Sequence, residues 1–415
     1  MKNPKKLVSF AVAAALAGLA SSAVAGGFAI GTQSGSGTGN AFAGGAAAAD
    51  DASVAWFNPA AMTLIPGTQI AGALHALKPS FKFQNQGSTG AFAAPGTGDG
   101  GDGGDWAFVP NGFMTMAINP KLSFGLALNV PFGLKTEYDA GWRGQLKALK
   151  SEITSVNINP SVAYKVSDTV SIGGGLSVQY IDVTLTKAAN AAGTNIAELT
   201  ADDIGYGFNL GLMVQATPDT RIGGSYRSSI KYDLEGTVAF SATPQGNGGV
   251  KADLKVPDSA SVSVFHRLNP KWELMGDITW TGWSTLDKFT AIRTTGAGAG
   301  TTVDSETFNW KDTWRYGVGA NYKMNDQTKI RAGVALDKTP TNDVDRTPRL
   351  PDQDRTWLAF GVQYKPSKTG ILDVGYAHEF IKDATVNNTL AGAGTLSGTF
   401  KNKADIFSVQ YSHSF

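Results

Sequence analysis

The feature that most constrains this chain is a period-two hydrophobic pattern that recurs along its length and is punctuated asymmetrically. From Ser155 to Tyr164, Val156, Ile158, Pro160, Val162 and Tyr164 fall on one face, and Ser155, Asn157, Asn159, Ser161 and Ala163 on the other. The same division sets Tyr206, Phe208, Leu210, Leu212 and Val214 against Gly205, Gly207, Asn209 and Gly211. It also sets Tyr316, Val318, Ala320 and Tyr322 against Arg315, Gly317, Gly319, Asn321 and Lys323. Strict alternation marks β-strands with one oily and one small-polar face. A soluble sandwich and a membrane barrel both satisfy it, so the choice falls to the turns. Tight clusters recur at Asn119-Pro120-Lys121, Ser167-Asp168, Pro218-Asp219, Asn269-Pro270-Lys271, Asn325-Asp326 and Pro366-Ser367, at intervals of roughly 40 to 55 residues. Each interval holds two strands joined at the far end by a longer loop. Short turns on one rim and long loops on the other are the outer-membrane barrel pattern. Six tight turns join twelve strands, and one more at each end, near Thr68 to Phe83 and Asp405 to Phe415, makes fourteen. The expected fold is all-β, a 14-stranded antiparallel transmembrane barrel.

The two ends of the chain agree with this reading. Lys2, Lys5 and Lys6, the apolar run Leu7 to Leu19 and the small-residue site Ala23-Val24-Ala25 read as a secretory signal peptide over residues 1–25. Ser21 and Ser22 close that run short of the ~20 apolar residues a spanning helix needs. No later stretch approaches one, so an embedded chain would have to cross with strands. In the last strand Phe407, Val409, Tyr411, His413 and Phe415 share a face, and the chain stops on an aromatic residue. Barrel-assembly machinery reads such an ending, which makes that machinery an expected partner during biogenesis. His413 stands where an apolar residue is more usual.

Composition removes several functions. With no cysteine there can be no disulfide framework, zinc–thiolate cluster or thiol nucleophile. A net charge of +1 leaves no excess of cations for nucleic acid. No cofactor or metal is expected, and the four histidines, His75, His266, His378 and His413, are scattered over separate strands, which argues against catalysis. Asp99, Asp102 and Asp105 lie in a glycine run and are read as a mobile first loop rather than a calcium site. Gly35-Ser36-Gly37-Thr38-Gly39 has the glycine content of a phosphate loop, but no strand precedes it, so it reads as a flexible loop. Helix is expected over Ala188 to Leu199 and Gln145 to Lys150. Trp142, Trp272, Trp280, Trp310, Trp314 and Tyr376 are expected in interfacial girdles.

Fourteen closed strands leave a lumen their own side chains cannot fill. Residues 26–66, rich in Gly, Ala and Ser, are the one stretch outside the hairpin rhythm and suit a small amino-terminal plug, leaving residues 67–415 for the barrel. Gly27-Phe28, Ser34 to Gly37, Asn40 to Gly44, Ala49-Asp50-Asp51-Ala52 and the motif Asn58-Pro59-Ala60 resemble the amino-terminal hatch of the FadL family of outer-membrane long-chain fatty-acid transporters. Asn129 to Tyr138, Tyr226-Arg227-Ser228 and Pro351 to Arg355 extend the resemblance through the mature chain. It implies a monomeric barrel with the hatch inside. A hydrophobic ligand would land on the extracellular loops, enter an apolar pocket and leave sideways into the membrane through a gap beside the third strand, without coupled energy. Outer-membrane lipid and lipopolysaccharide would surround it. Aromatic or other hydrocarbons on the same scaffold, or a general porin, are the competing readings.

The gap has a physical correlate. Strand 3, about Leu122 to Tyr138, carries Asn129, Pro131 and Gly133, and proline and glycine are tolerated in strands mainly at kinks and bulges. A side exit suits an oily cargo. Each buried methylene is worth ~0.8 kcal/mol, so a sixteen-carbon chain resists release into water by an amount on the order of ten kcal/mol. For the carboxylate, alternation points Arg227, Lys231 and Arg315 into the lumen, while Lys187 and Lys288 lie near extracellular strand ends. Pairing of the lumen cations with Asp233, Glu235 or Asp337 is the structural alternative for each. Arg227 or Arg315 is the expected carboxylate partner.

Overall fold

The computed structural model describes residues 26–415 apart from Ala297, so the expected signal peptide over residues 1–25 lies outside the described residues. Fourteen antiparallel wall strands close on themselves. In order they are strand 1 (Thr68–Asn85), strand 2 (Ala107–Asn119), strand 3 (Leu122–Asn129, resuming at Gly133–Glu137), strand 4 (Lys150–Lys165), strand 5 (Val170–Ala188) and strand 6 (Ile196–Thr217). Strands 7 to 10 are each interrupted: Thr220–Arg227 with Ile230–Phe240, Gly248–Val256 with Ser259–Arg267, Trp272–Thr281 with Lys288–Arg293, and Thr302–Thr307 with Thr313–Lys323. Strand 11 (Thr328–Asp337), strand 12 (Arg355–Tyr364), strand 13 (Gly370–Ile381) and strand 14 (Gly394–Ser414) complete the wall. Strand 14 pairs with strand 1 from Gln69↔Ser414 to Asn85↔Gly398, which removes any free edge. All six expected tight turns sit between strands on one rim.

The two faces fall as alternation requires. Ser155, Asn157, Asn159 and Ser161 are buried inside, while Ile158, Val162 and Tyr164 are exposed outside. Tyr164, Trp272, Tyr364 and Tyr411 lie outward near the tight turns, and Trp314, Tyr316 and Phe380 nearer the loop rim, the positions of interfacial girdles. Trp142 and Trp310 depart from that expectation. Both are buried, Trp142 stacked on Tyr138 and Trp310 packed edge-on to Trp283, because the long loops fold back into apolar caps that need large rings.

Other local expectations also change. Residues expected as helix, Ala188 to Leu199, form the tip of a strand hairpin in which Leu185 faces Leu199 and Lys187 faces Ala197. Cross-strand burial there overrides the helix propensity of the alanines. The stretch from Gln145 to Leu149 is irregular, mostly turn, rather than helix, and Lys150 begins strand 4. The Asp/Gly loop is stitched down: Asp99 pairs with Arg143 at 2.7 Å, Asp102 accepts from Ser80 Oγ and Phe81 N, and Asp105 pairs with Lys135 at 3.6 Å. These acids point to different partners, and among the described residues no three metal-ligating side chains converge.

Residues 26–66 lie inside the wall, most of them buried. Short helical turns at Gly35–Thr38, Val54–Phe57 and Pro59–Leu64 cross the bore. Gly35 N donates to Gln410 Oε1 on strand 14, Ala46 N to Ser263 Oγ on strand 8, and Thr63 Oγ1 to Ser171 Oγ on strand 5. The abundant glycine has a packing reason here. A Cβ at Gly223 would sit 1.9 Å from the Ala46 carbonyl oxygen, and one at Gly333 2.0 Å from that of Asn40. Only bare backbone lets the segment lie so close to the wall.

Candidate functional site

Strand 3 is broken where the sequence places its proline. Pairing with strand 2 ends at Gly112↔Leu128, and pairing with strand 4 lapses between Asn129 and Gly133. Pro131 offers no N–H, so the ladder cannot run through it. The amino-terminal segment fills part of the vacancy as a short extra strand. Ile30 N donates to the Pro131 carbonyl at 2.8 Å, Gly133 N donates to the Phe28 carbonyl at 2.9 Å, and Ala29 stands opposite Phe132. Gln33 stitches the inner side. Its Nε2 donates to the carbonyls of Ile30 and Val130, its Oε1 accepts from Asn129 Nδ2, and its carbonyl accepts from Asn111 Nδ2. Asn129, Pro131 and Gly133 thus lie together at the lapse in the ladder. Gln33 was not legible beforehand because its partners lie about a hundred residues away.

Behind the break lies a cavity of about 240 Å³, lined among others by Phe42, Trp56, Phe57, Phe132 and Trp357. Arg227 reaches it with its guanidinium 3.4 Å from the Trp56 ring centroid. It donates to the Trp56 carbonyl at 2.9 Å and to Ser177 Oγ at 3.2 Å, and among the described residues it has no carboxylate partner. A cation held by a ring and neutral oxygens retains its affinity for an incoming anion. Arg315 also lines the cavity but is engaged, donating to Asp277 at 3.2 Å and to the Ala41 carbonyl. Asp337, expected as a possible partner of a lumen cation, lines the same cavity.

Lys231 does not point into the lumen as its alternation suggests. An extra residue at Ser228–Ser229 reverses the alternation, so the inward set changes from Gly223, Ser225 and Arg227 to Ile230, Tyr232 and Leu234. Lys231 therefore faces outward and pairs with Asp233 at 2.9 Å. A one-residue slip moves every following side chain to the other face.

Nearer the loops is a smaller, largely apolar cavity of about 60 Å³ between Phe28, Leu134, Ile153, Leu254, Phe289 and Trp310. Arg349 and Glu306 also line it. Lys187 is beside it but committed to Asp304 at 2.6 Å, and Arg349 approaches the same carboxylate at 3.5 Å. On this extracellular hairpin burial raises the pKa of Glu306; burial would also raise Asp304, but Arg349 and Lys187 outweigh it and bring Asp304 down. Lys288 points away from the interior and joins neither cavity. Arg349 was missed because it lies in an irregular stretch where no alternation shows which way a side chain points.

The Asn58-Pro59-Ala60 motif anchors the segment between strands. Asn58 Nδ2 donates to the carbonyls of Ala46 and Leu212, and its Oδ1 accepts from Ala60 N, capping the turn that Pro59 begins. Opposite, Asp50 bridges to Arg331 at 2.6 Å and Lys329 at 3.8 Å, and Arg331 also holds Asp373 at 3.0 Å. Burial alone would raise the Asp50 carboxyl, but Lys329 and Arg331 hold it well below the usual carboxylate range. A depressed carboxylate contributes its stabilisation fully above the unfolded value of about 3.9 and loses it only as pH falls through the lower folded one. The Asp50 bridge to Arg331 and Lys329 should therefore persist between pH 7 and about pH 4.

A family profile described as outer membrane protein transport protein (OMPP1/FadL/TodX) matches residues 16–415. Over 440 residues the chain is 27% identical to the long-chain fatty acid transport protein of Salmonella typhi, covering 98% of each. It is 28% identical to outer membrane protein P1 of Haemophilus influenzae strain Rd, covering 99% of this chain and 100% of that protein. The crystal structure of a Pseudomonas aeruginosa FadL homologue superposes with a TM-score of 0.86 at 27% identity, covering 94% of this chain and 100% of that one. With the closed barrel and the broken third strand, these matches show that the chain belongs to the OmpP1/FadL/TodX family of outer-membrane transport channels for hydrophobic substrates, and not to a family of enzymes.

Proposed function

We propose that the chain takes up long-chain fatty acids by passive diffusion, with residues 26–66 acting as a movable hatch and the strand 3 break as a lateral exit into the membrane. The observation that carries this reading is one cavity touching both Arg227, whose guanidinium bonds to no carboxylate among the described residues, and the residues of the break, Pro131 and Phe132. Carboxylate and acyl chain need those two environments side by side. The fatty-acid transport protein of Salmonella typhi supports it as a relative aligned end to end. In this scheme the ligand enters past the upper apolar cavity and displaces the Phe28–Gln33 stretch from strand 3. It then passes to lipid without crossing water.

Charge-assisted hydrogen bonds contribute about 1.5–3 kcal/mol, so Arg227→Gln should weaken oleate binding by roughly 10- to 150-fold. Binding of oleyl alcohol, which has no charge, should hardly change. Arg315→Gln should do less, because that side chain already serves Asp277. Equal oleate affinity in wild type and the Arg227→Gln, Arg315→Gln double variant would remove the carboxylate assignment. The largely apolar upper cavity favours one competing cargo, a neutral aromatic hydrocarbon. Growth of a deletion strain on oleate against toluene separates the two.

A further inference from the structure

Strand 3 is not the only interruption of the wall. Strand 6 pairs with the upper half of strand 7 from Ala197↔Phe240 to Asp202↔Glu235, and with its lower half from Asn209↔Arg227 downward. Between those blocks, residues 203–208 have no ladder partner on strand 7. The seam carries a backbone bond from Ser228 N to the Phe208 carbonyl and two side-chain substitutes, Phe208 N to Ser228 Oγ and Asp233 N to Asp203 Oδ2. Strand 7 steps inward here. A Cβ on inward-facing Gly205 would lie 2.3 Å from Ile230 Cγ2 and 3.0 Å from the Lys231 carbonyl oxygen. Strands 8 and 9 break beside it, at Pro257–Asp258 and over Gly282–Asp287. The strand 3 break begins eight residues above Leu122 and its turn, and this seam nine residues above Thr217 and its turn. Both therefore open at similar heights.

The cavity behind strand 3 reaches this seam. Its lining includes inward Asn209, Arg227 and Ile230, and also Leu210 and Tyr226, which lie on the opposite, outer face of the same strands. Residues of both faces thus border the cavity where the strand 6–strand 7 ladder lapses. Arg227 stands at the inner mouth, and Tyr206, 70% exposed, at the outer one.

We propose that the seam between strands 6 and 7 is a second lateral portal, through which the acyl chain of a carboxylate held by Arg227 extends into the membrane. This rests on the fatty-acid reading. Ile230, leaning over Gly205 and Gly207, is its shutter, and the extra residue at Ser228–Ser229 supplies the slack for strand 7 to move.

The test uses the full-length protein in nanodiscs and a hexadecanoic acid bearing a diazirine at its terminal carbon. After illumination, adducts are mapped by mass spectrometry with and without excess oleate. Oleate-suppressible adducts on residues 204–210 and 226–232, as well as beside Pro131, are expected. Ser228→Trp should remove the strand 6 and 7 adducts and spare those at Pro131, with heat-modifiable gel mobility confirming a folded barrel. Adducts on strands 6 and 7 that oleate does not suppress would report bulk lipid and overturn the portal. So would suppressible labelling confined to the interior and strand 3, which would leave the fatty-acid reading standing. No suppressible labelling anywhere would defeat both.

Discussion

Replacing Gly223 and Gly333 together by valine should expel the amino-terminal segment and turn a closed channel into an open pore. At both positions the added Cβ would lie about 2 Å from a backbone carbonyl oxygen, of Ala46 and Asn40 respectively. Main chain cannot swing aside as a side-chain tip can. Overpacking costs typically 1–3 kcal/mol per site, and here the relief available is for residues 40–46 to leave the wall. The wall needs no such retreat, because its closure through strands 1 and 14 involves neither glycine. Single-channel conductance in planar bilayers should rise on the order of tenfold or more, since an emptied barrel of this size is a water-filled bore. Gly72→Val is the control, because a Cβ there meets nothing within 4 Å. If the double variant conducts like wild type, residues 26–66 are not the stopper.

A disulfide between Ala29→Cys and Phe132→Cys should lock the lateral exit. The two residues face each other as an isolated antiparallel bridge, flanked by the bonds Ile30 N to Pro131 O and Gly133 N to Phe28 O. That makes them a non-hydrogen-bonded pair, with Cα atoms about 4.5 Å apart, inside the range a disulfide spans. The native chain has no cysteine to confuse the pairing. In the proposed scheme the exit would open by breaking a few hydrogen bonds of roughly 0.5–1.5 kcal/mol each. A covalent bridge removes that route. Uptake of labelled oleate by cells should fall several-fold when the pair is oxidised, leaving only the flux through the seam between strands 6 and 7, and a reducing agent should restore it. Oleate binding to the purified protein should survive. Undiminished uptake through the oxidised variant would show that cargo does not leave past Phe132.

The alternation from Ser155 to Tyr164 and the tight turns were enough to fix strand number, face assignment and barrel class. Each depends only on neighbours along the chain and on the two environments a strand must face. Pro131 was readable for the same reason: a residue without an N–H interrupts a ladder whatever surrounds it. Lys231 shows where that logic stops. One extra residue at Ser228–Ser229 inverts the register, and nothing local announces which strand will carry a bulge. Trp142 and Trp310 look like girdle residues until the loops fold over them.

The sequence by itself determined the wall: period-two patterning, turn chemistry and the absence of a spanning helix leave a membrane-embedded chain no other architecture. Only the tertiary structure decided the contents. That Arg227 meets no acid among the described residues while Arg315 has Asp277, that Gln33 bridges the lapse in strand 3, and that strands 6 and 7 part company beside Gly205 are all relations between residues tens to hundreds of positions apart. Such distances are set by closure of the barrel, and no local pattern encodes them.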